Sequence, residues 1–343
     1  VVKQLRKNIM QNKAKGRRKF MAKMGLGTLS LGLGNAGAYA FAPKNKITKN
    51  NTINIGFITD IHHGFCSDGL ERLEVFIKEA SSRKLDFIIQ GGDFCYATEE
   101  SQECMDLWNT YKGEKYHVLG NHDMDKVTKK EAMDFFGMEK NYYSFDKGDF
   151  HFVILDGNYI MKDGKYEDYA NANFYIDQAN RSLVNPEQIE WLKQDLEKTD
   201  KQTIIISHQA FDEIWDGWSS PSRFAVRKVI DDANNRTDYQ KVIACFCGHH
   251  HVDDHSYINN VHYFQMNSAS YFYVGDGYGS DGSRAMYQDS IFAFLTLDPS
   301  GHIAIEGRKS SFMHPTPSEK NHPDAPRLSA SISDRNVDFK QRG

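Results

Sequence analysis

The sequence predicts an α/β protein, and three observations predict it. Short apolar runs such as "TINIGF", "DFIIQ" and "QTIIIS" alternate with stretches whose apolar residues recur at helical spacing. The runs end in clusters of Asp, Asn, Gly and His, and in α/β sheets ligand-binding groups collect at the carboxyl ends of the strands. The 343 residues, 40% hydrophobic and 13% aromatic, suffice for a substantial core.

The elements follow in order. "TINIGFITDIHH" reads as a buried strand ending at Asp60 to His63, and the next stretch carries Leu70, Leu73, Phe76, Ile77 and Ala80 on one helical face. "LDFIIQGGDF" is a strand ending at Asp93, and "KYHVLGNHDM" is another that ends in polar residues. "NYYSFDKGDFHFVILDGN" predicts a hairpin turning near Asp146 to Asp149, followed by a Tyr- and Asn-rich insertion over 159–182. Asn185 with Pro186 reads as an N-cap and first helical position, opening a helix through Trp191, Leu192 and Leu196. "KQTIIISHQ" is a buried strand ending in His208, and Ser220-Pro221 opens a further helix. "KVIACFCGHHH" is the next strand; hairpins turning at Asn259-Asn260 and at Asp298 to Gly301 complete the pattern. From Met313 onward Pro, Ser, Asn and charge dominate, so 313–343 reads as a flexible or surface-wrapping tail. No fixed-period repeat is present.

Residues 1–40 read as an export signal peptide. Nine of the 42 Lys and Arg fall there with no Asp or Glu, and Arg17-Arg18-Lys19-Phe20 leads through a Gly-rich apolar stretch to the cleavage pattern Ala38-Tyr39-Ala40. The segment resembles a twin-arginine signal. Met24 to Ala40 is short and glycine-diluted for a spanning helix, so the mature protein is expected to be periplasmic or extracytoplasmic, with the twin-arginine machinery as partner and no stable membrane span. Residues 41–51 form a linker. Beyond residue 40, 33 basic side chains face 46 acidic ones, a balance of −13 that argues against a protein gripping long nucleic acid through phosphates. Cys66, Cys95, Cys104, Cys245 and Cys247 are odd in number and lack CxxC spacing, so they read as buried small residues.

"CFCGHHHVDD" poses the chemical question, because three histidines behind a glycine at a strand end are more than a core needs. If the chain stays extended past Gly248, His249 and His251 share one face and His250 takes the other. Similar groups stand at four other strand ends: Asp60-Ile61-His62, Gly92-Asp93, Gly120-Asn121-His122-Asp123, and His208. Each alone is weak; together Asp, Asn and His suit two first-row metal ions held by mixed oxygen and nitrogen ligands.

In this order the five motifs resemble the calcineurin-like metallophosphoesterase family, whose DxH, GDxx, GNH[DE], strand-ending H and GHxH patterns they match. The resemblance implies a four-layer αββα fold, two mixed β-sheets packed as a sandwich flanked by helices, over a catalytic domain of residues 52–312. It implies that Asp60, His62, Asp93 and His251 hold one metal ion and that Asp93, Asn121, His208 and His249 hold the second, with Asp93 bridging. The ions would be divalent or trivalent, Mn, Fe or Zn. His122 is implied as the group that protonates the leaving oxygen or steadies the phosphoryl oxygens, oriented by Asp123; His250 is a spacer. Asp93-Phe94-Cys95-Tyr96 also fits the GDxxY of purple acid phosphatases, where the tyrosine binds ferric iron. Those enzymes have glycine where His62 stands, so Tyr96 is expected to pack, with metal ligation as the alternative.

The implied activity is hydrolysis of phosphate esters of a small phosphorylated substrate, with a nucleotide phosphodiester or pyrophosphate preferred over a phosphomonoester. A non-enzymatic exported binding protein of this fold is the remote alternative. Candidate substrate contacts lie on three aromatic loops: Tyr166, Tyr169, Phe174 and Tyr175; Trp215 and Trp218; Tyr271, Phe272, Tyr273 and Tyr278. Arg223, Arg227 and Arg284 are candidates for a second phosphate.

Overall fold

A computed structural model describes residues 52–215, 219–275 and 281–342. The signal-like segment, the linker, Trp218 and Tyr278 lie outside the described residues. In chain order the strands are β1 (Ile53–Ile58), β2 (Phe87–Gln90), β3 (Glu114–His117), β4 (Tyr143–Lys147), β5 (Phe150–Leu155), β6 (Tyr159–Lys162), β7 (Lys165–Asp168), β8 (Gln202–Ser207), β9 (Val242–Cys247), β10 (Asp254–Ile258), β11 (Val261–Gln265), β12 (Tyr271–Tyr273), β13 (Arg284–Met286), β14 (Ala293–Asp298), β15 (His302–Gly307) and β16 (Arg335–Asp338). The α-helices are α1 (Gly69–Ser82), α2 (Gln102–Trp108), α3 (Lys129–Phe136), α4 (Pro186–Lys198) and α5 (Arg223–Asn235).

Two six-stranded mixed sheets form, ordered β16-β15-β14-β1-β2-β3 and β10-β11-β9-β8-β5-β4. Strands β1, β2 and β3 run parallel in the first, and β5, β8, β9 and β11 run parallel in the second. Period-2 alternation explains why each sheet is covered on both faces. Ile53, Ile55 and Phe57 of β1, Phe87 and Ile89 of β2, Phe152 and Ile154 of β5, and Ile204 and Ile206 of β8 share one central core between the sheets. Ile58 and Ile88 point the other way, onto Leu73, Phe76 and Ile77 of α1. Val153 and Ile205 meet Leu192 and Leu196 of α4 and Val226 and Ile230 of α5. The result is the helix–sheet–sheet–helix sandwich expected from the sequence.

Local rules set the boundaries. Asn185 accepts a hydrogen bond from the Gln188 N–H with Pro186 behind it, and Thr128 with Glu131 forms a reciprocal capping box at α3. The hairpin residues Asn259 and Asn260 both take left-handed φ, 50° and 64°, as a tight two-residue turn demands. All five cysteines are free and buried. The segment from Met313 is laid over the domain, and β16 pairs antiparallel with β15 as a new sheet edge that its polar composition conceals. No described helix is long and apolar enough to cross a membrane.

Candidate metal centre

The strand-end motifs converge at the seam between the two sheets. Asp60 and His62 follow β1, Asp93 follows β2, and Asn121 and His122 follow β3; His208 follows β8, and His249 and His251 follow β9. Ligand atoms of Asp60, His62 and His251 lie within 4.8 Å of one another, as do those of Asp93, His208 and His249. Asn121 lines the same cavity as Asp93 and His249, and its Oδ1 is buried with no hydrogen-bond partner.

Five of these residues sit in left-handed backbone: Asp60 (φ 54°), His62 (55°), Asp93 (51°), His249 (70°) and His251 (53°). For an L-residue that conformation costs about 1–2 kcal/mol, and it persists only where the surroundings over-determine it. Here a web of bonds holds it. The N–H of Asp60 donates to Gly92 O (3.0 Å), that of His62 to Asp93 O (2.9 Å), and that of His249 to Asp60 Oδ2 (3.1 Å). The chain past Gly248 is therefore turned, not extended, and each turn aims a ring at the seam. Close approach also fixes two glycines: a Cβ at Gly248 would collide with the Asp60 carboxylate, and one at Gly120 with Asp93.

The donor set is that of a cation site. The N–H at His251 Nδ1 donates to Tyr271 O (2.7 Å), and that at His208 Nδ1 to Gly91 O (2.9 Å). Both Nε2 atoms are thus bare in the neutral ring, yet one lies 3.2 Å from Asp60 Oδ1 and the other 3.1 Å from Asp93 Oδ2. Lone pairs facing carboxylates require a positive charge between them, a proton or a metal ion. At His208 burial pushes the pKa down, but Asp93 and Asp60 outweigh it and carry it up to about 9, so without metal this ring keeps its proton. Burial opposes ionisation of Asp93 too, but His208 and His122 hold its carboxyl well below the ordinary range. Asp93 Oδ2 lies 3.7 Å from His62 Nε2 as well, which sets this carboxylate between the two clusters.

His122 stands beside them. Its ring lies 5.2 Å from that of His62 and stacks on Phe65 at 5.9 Å. The partner of its Nδ1 is Asp125 Oδ2 at 2.7 Å, which corrects the expectation that Asp123 orients it. Residues 122–124 form a 3₁₀ turn, on which neighbours three apart share a face and adjacent ones diverge. Asp123 points inward and accepts from the N–H groups of Phe94 (2.8 Å), Cys95 (3.3 Å) and Gly120 (2.8 Å), tying two ligand loops together. Burial and the charge of Asp93 push its carboxyl up to about 8. Ser268 and Ser270 brace the first loop by donating to Asp60 O and Ile61 O.

A cavity of about 250 Å³ opens over this floor. Tyr169, Phe174, Tyr175, Trp215, Phe272 and Tyr273 line it, as the aromatic loops suggested, and His250 lines it while bonded to Gln265 (2.8 Å). Tyr166 is exposed on the β6–β7 hairpin instead. Tyr96 is outside the lining, under the Lys126 ammonium at 4.3 Å, and burial pushes its phenol up to about 12. Nor do the expected arginines line it: Arg223 donates to Ser220 O, Arg227 pairs with Glu213, and Arg284 donates to Phe65 O over the Phe65 ring. Arg181, Ser182, His322 and Asp324 line it instead. No spacing in the sequence marks them, because loop packing alone brings them to the site.

Fold and site together define a two-sheet metallophosphoesterase scaffold with residues arranged for two metal ions. The chain belongs to the calcineurin-like phosphoesterase family, whose pattern matches residues 53–253. A manganese-dependent ADP-ribose/CDP-alcohol diphosphatase from Oryza sativa subsp. japonica is 24% identical over 202 residues, covering 49% of this chain and 61% of that relative's length. A dimetal phosphatase from Danio rerio superposes with a TM-score of 0.60 at 13% identity, over 84% of this chain and 99% of that one. A purple acid phosphatase from yellow lupin seeds gives 0.50 at 15% identity, over 84% and 54%. At such identities the structural likeness speaks for the fold.

Proposed function

We propose that the protein hydrolyses a phosphodiester or pyrophosphate bond in a small nucleotide-like substrate. The observation that carries this reading is a bounded aromatic cavity of about 250 Å³ directly over the two ligand clusters. Its volume suits one small molecule, and its rings offer stacking faces that a bare phosphate would not use. The diphosphatase named above is a relative whose substrates have this chemistry.

Asp60, His62, Asp93 and His251 would hold one ion and Asp93, Asn121, His208 and His249 the other, with Mn favoured by that relative's stated dependence. When bound, such ions polarise phosphoryl oxygens and lower the pKa of water. The protein's own groups position and donate. His122, fixed through Nδ1 by Asp125, keeps Nε2 as the nitrogen that can protonate a leaving oxygen; burial pushes its pKa down, but Asp93 and Asp125 outweigh it and leave it raised. Phe174 and Tyr175 pack against the His122 ring at 5.7 and 6.5 Å, excluding water from that side. The proposal includes export through the Arg17-Arg18 signal, tested by fractionating cells that carry the paired substitutions Arg17→Lys and Arg18→Lys: the variant should stay in the cytoplasm, and undiminished export overturns this part of the reading.

The functional test is hydrolysis of a chromogenic phosphodiester against the matching monoester by metal-stripped protein reloaded with Mn, Fe or Zn, followed by ADP-ribose and a CDP-alcohol. Diester and pyrophosphate turnover is expected; exclusive monoester turnover refutes the reading.

A further inference from the structure

The cavity walls differ in charge. Arg181 is the one Lys or Arg among its described lining residues, and Asp324 lies in the same lining. Asp324 comes from the segment after β15, where its backbone N–H donates to His322 Nδ1 (3.3 Å) and the His322 ring meets Phe272 edge-on at 5.3 Å.

Arg181 is built into place. It follows a 3₁₀ turn, Gln178–Asn180, capped by the Asp177 side chain. Its Nε donates to Gln178 Oε1 (2.9 Å) and one terminal nitrogen to Phe174 O (3.2 Å), so the loop that carries the guanidinium also fixes its plane. The next residue, Ser182, sits in left-handed backbone at φ 58°, held by its N–H on the Tyr169 hydroxyl (2.6 Å) and by Ser220 Oγ–H on its carbonyl (2.6 Å). Such strain is kept where the surroundings hold it and collects at ligand clamps. Phe174, whose carbonyl takes the arginine, is also the residue whose ring abuts His122, so the guanidinium lies one side chain away from the proton donor.

We propose that Arg181 binds a second phosphoryl group, so that the site selects substrates carrying a diphosphate over those carrying one phosphorus. This rests on the phosphoesterase reading above and narrows its substrate class. One phosphoryl group on the floor meets Asn121, the histidines and the cations they hold; a planar, permanently charged fork on a separate loop of the same lining is superfluous for it and suits a second anionic group. Asp324, brought to the same lining by the segment after β15, repels that anion and favours its seat on Arg181, leaving its own surroundings to hydroxyl or amino donors.

The test titrates metal-loaded protein by calorimetry with AMP and with α,β-methylene-ADP, which adds one phosphoryl group and cannot be cleaved at the bridge. The wild-type protein should bind the second compound more tightly, and Arg181→Gln should erase roughly a tenfold to hundredfold of that preference, the range for a charge-assisted bond, while AMP affinity changes by less than about threefold. Equal weakening of both ligands, or an unchanged preference, overturns the proposal. Should the Gln variant fail to fold, Arg181→Lys decides: it keeps the charge but loses the fork, so part of the preference should go, and equality with wild type overturns it. ADP-ribose hydrolysis is scored separately. Binding that depends on Arg181 without cleavage sinks the hydrolytic reading alone; cleavage without that dependence sinks the role of Arg181 alone.

Discussion

The floor of the cavity and its walls are built by opposite means. The floor stands on strand ends, in strained backbone cross-tied by buried hydrogen bonds, and its residues follow short apolar runs in fixed motifs. The walls stand on the insertion that carries Tyr169, Phe174 and Arg181, on the loop of Trp215, and on the segment that brings His322 and Asp324. Chemistry that needs ligands placed within tenths of an ångström is kept on the rigid sheets, and selection among substrates is left to loops that vary at little cost to stability.

This contrast can be broken, and the largest expected effect lies in the floor. Asp93→Asn should lower kcat/KM on the order of a thousandfold or more and reduce bound metal, measured by kinetics with elemental analysis, because it neutralises the carboxylate between the clusters. Full metal content in that variant would dissolve the distinction between floor and wall. His122→Ala should slow turnover about a hundredfold with metal retained, and Asp125→Asn should move activity in the same direction by less. Asp123→Asn should instead lower the melting temperature, since both carboxyl oxygens of Asp123 accept backbone N–H groups, three in all, and an amide offers one acceptor oxygen; the reverse assignment would restore the pairing that the sequence suggested.

Gly248→Ala touches no ligand atom by substitution, yet its Cβ would displace Asp60, so metal affinity should fall roughly tenfold to a hundredfold. In the walls, Trp215→Ala should raise KM roughly fivefold to fiftyfold for a nucleotide substrate while metal content stays whole. Metal loss in that variant would mean that wall and floor are one unit. The smallest effect comes from outside both. Burial lowers the His151 pKa, but Asp195 and Asp146, at 2.8 and 2.6 Å, outweigh it and leave it raised. The stabilisation is complete below the ordinary value of 6.5 and fades as pH rises through the raised folded value. Melting curves of His151→Asn should therefore differ most from wild type below pH 6.5 and converge as the pH rises above it, with no change in metal content.

The same contrast explains what the sequence disclosed. That Asp60, His62, Asp93, Asn121, His208, His249 and His251 gather at one sheet edge was legible because each closely follows an apolar run, while their ligand roles came from the order of the family's motifs. How the rings of His62, His249 and His251 are aimed lay in the left-handed turns past the strands, which no spacing shows. The sandwich followed from the rhythm of those runs and the family resemblance. Arg181, His322 and Asp324 gave no signal, since their positions depend on how loops pack. Asp125 was missed for a smaller reason: the pairing of His122 is decided by a 3₁₀ turn, and nothing in "GNHDMD" tells that turn from an extended loop. β16 was hidden because an edge strand can be charged and polar when only one of its sides is paired.

Each ligand cluster draws on both sheets: Asp60 and His62 with His251, and Asp93 with His208 and His249. An ion bound there is a cross-link between the two layers, added to the central core and to ties such as the Tyr143 hydroxyl on His117 O and the His249 N–H on Asp60. Folding order follows from this. Neither sheet alone supplies all the ligands of either cluster, so full-affinity uptake should follow closure of the sandwich, and the time course of metal capture during refolding becomes a clock for the docking of one sheet on the other.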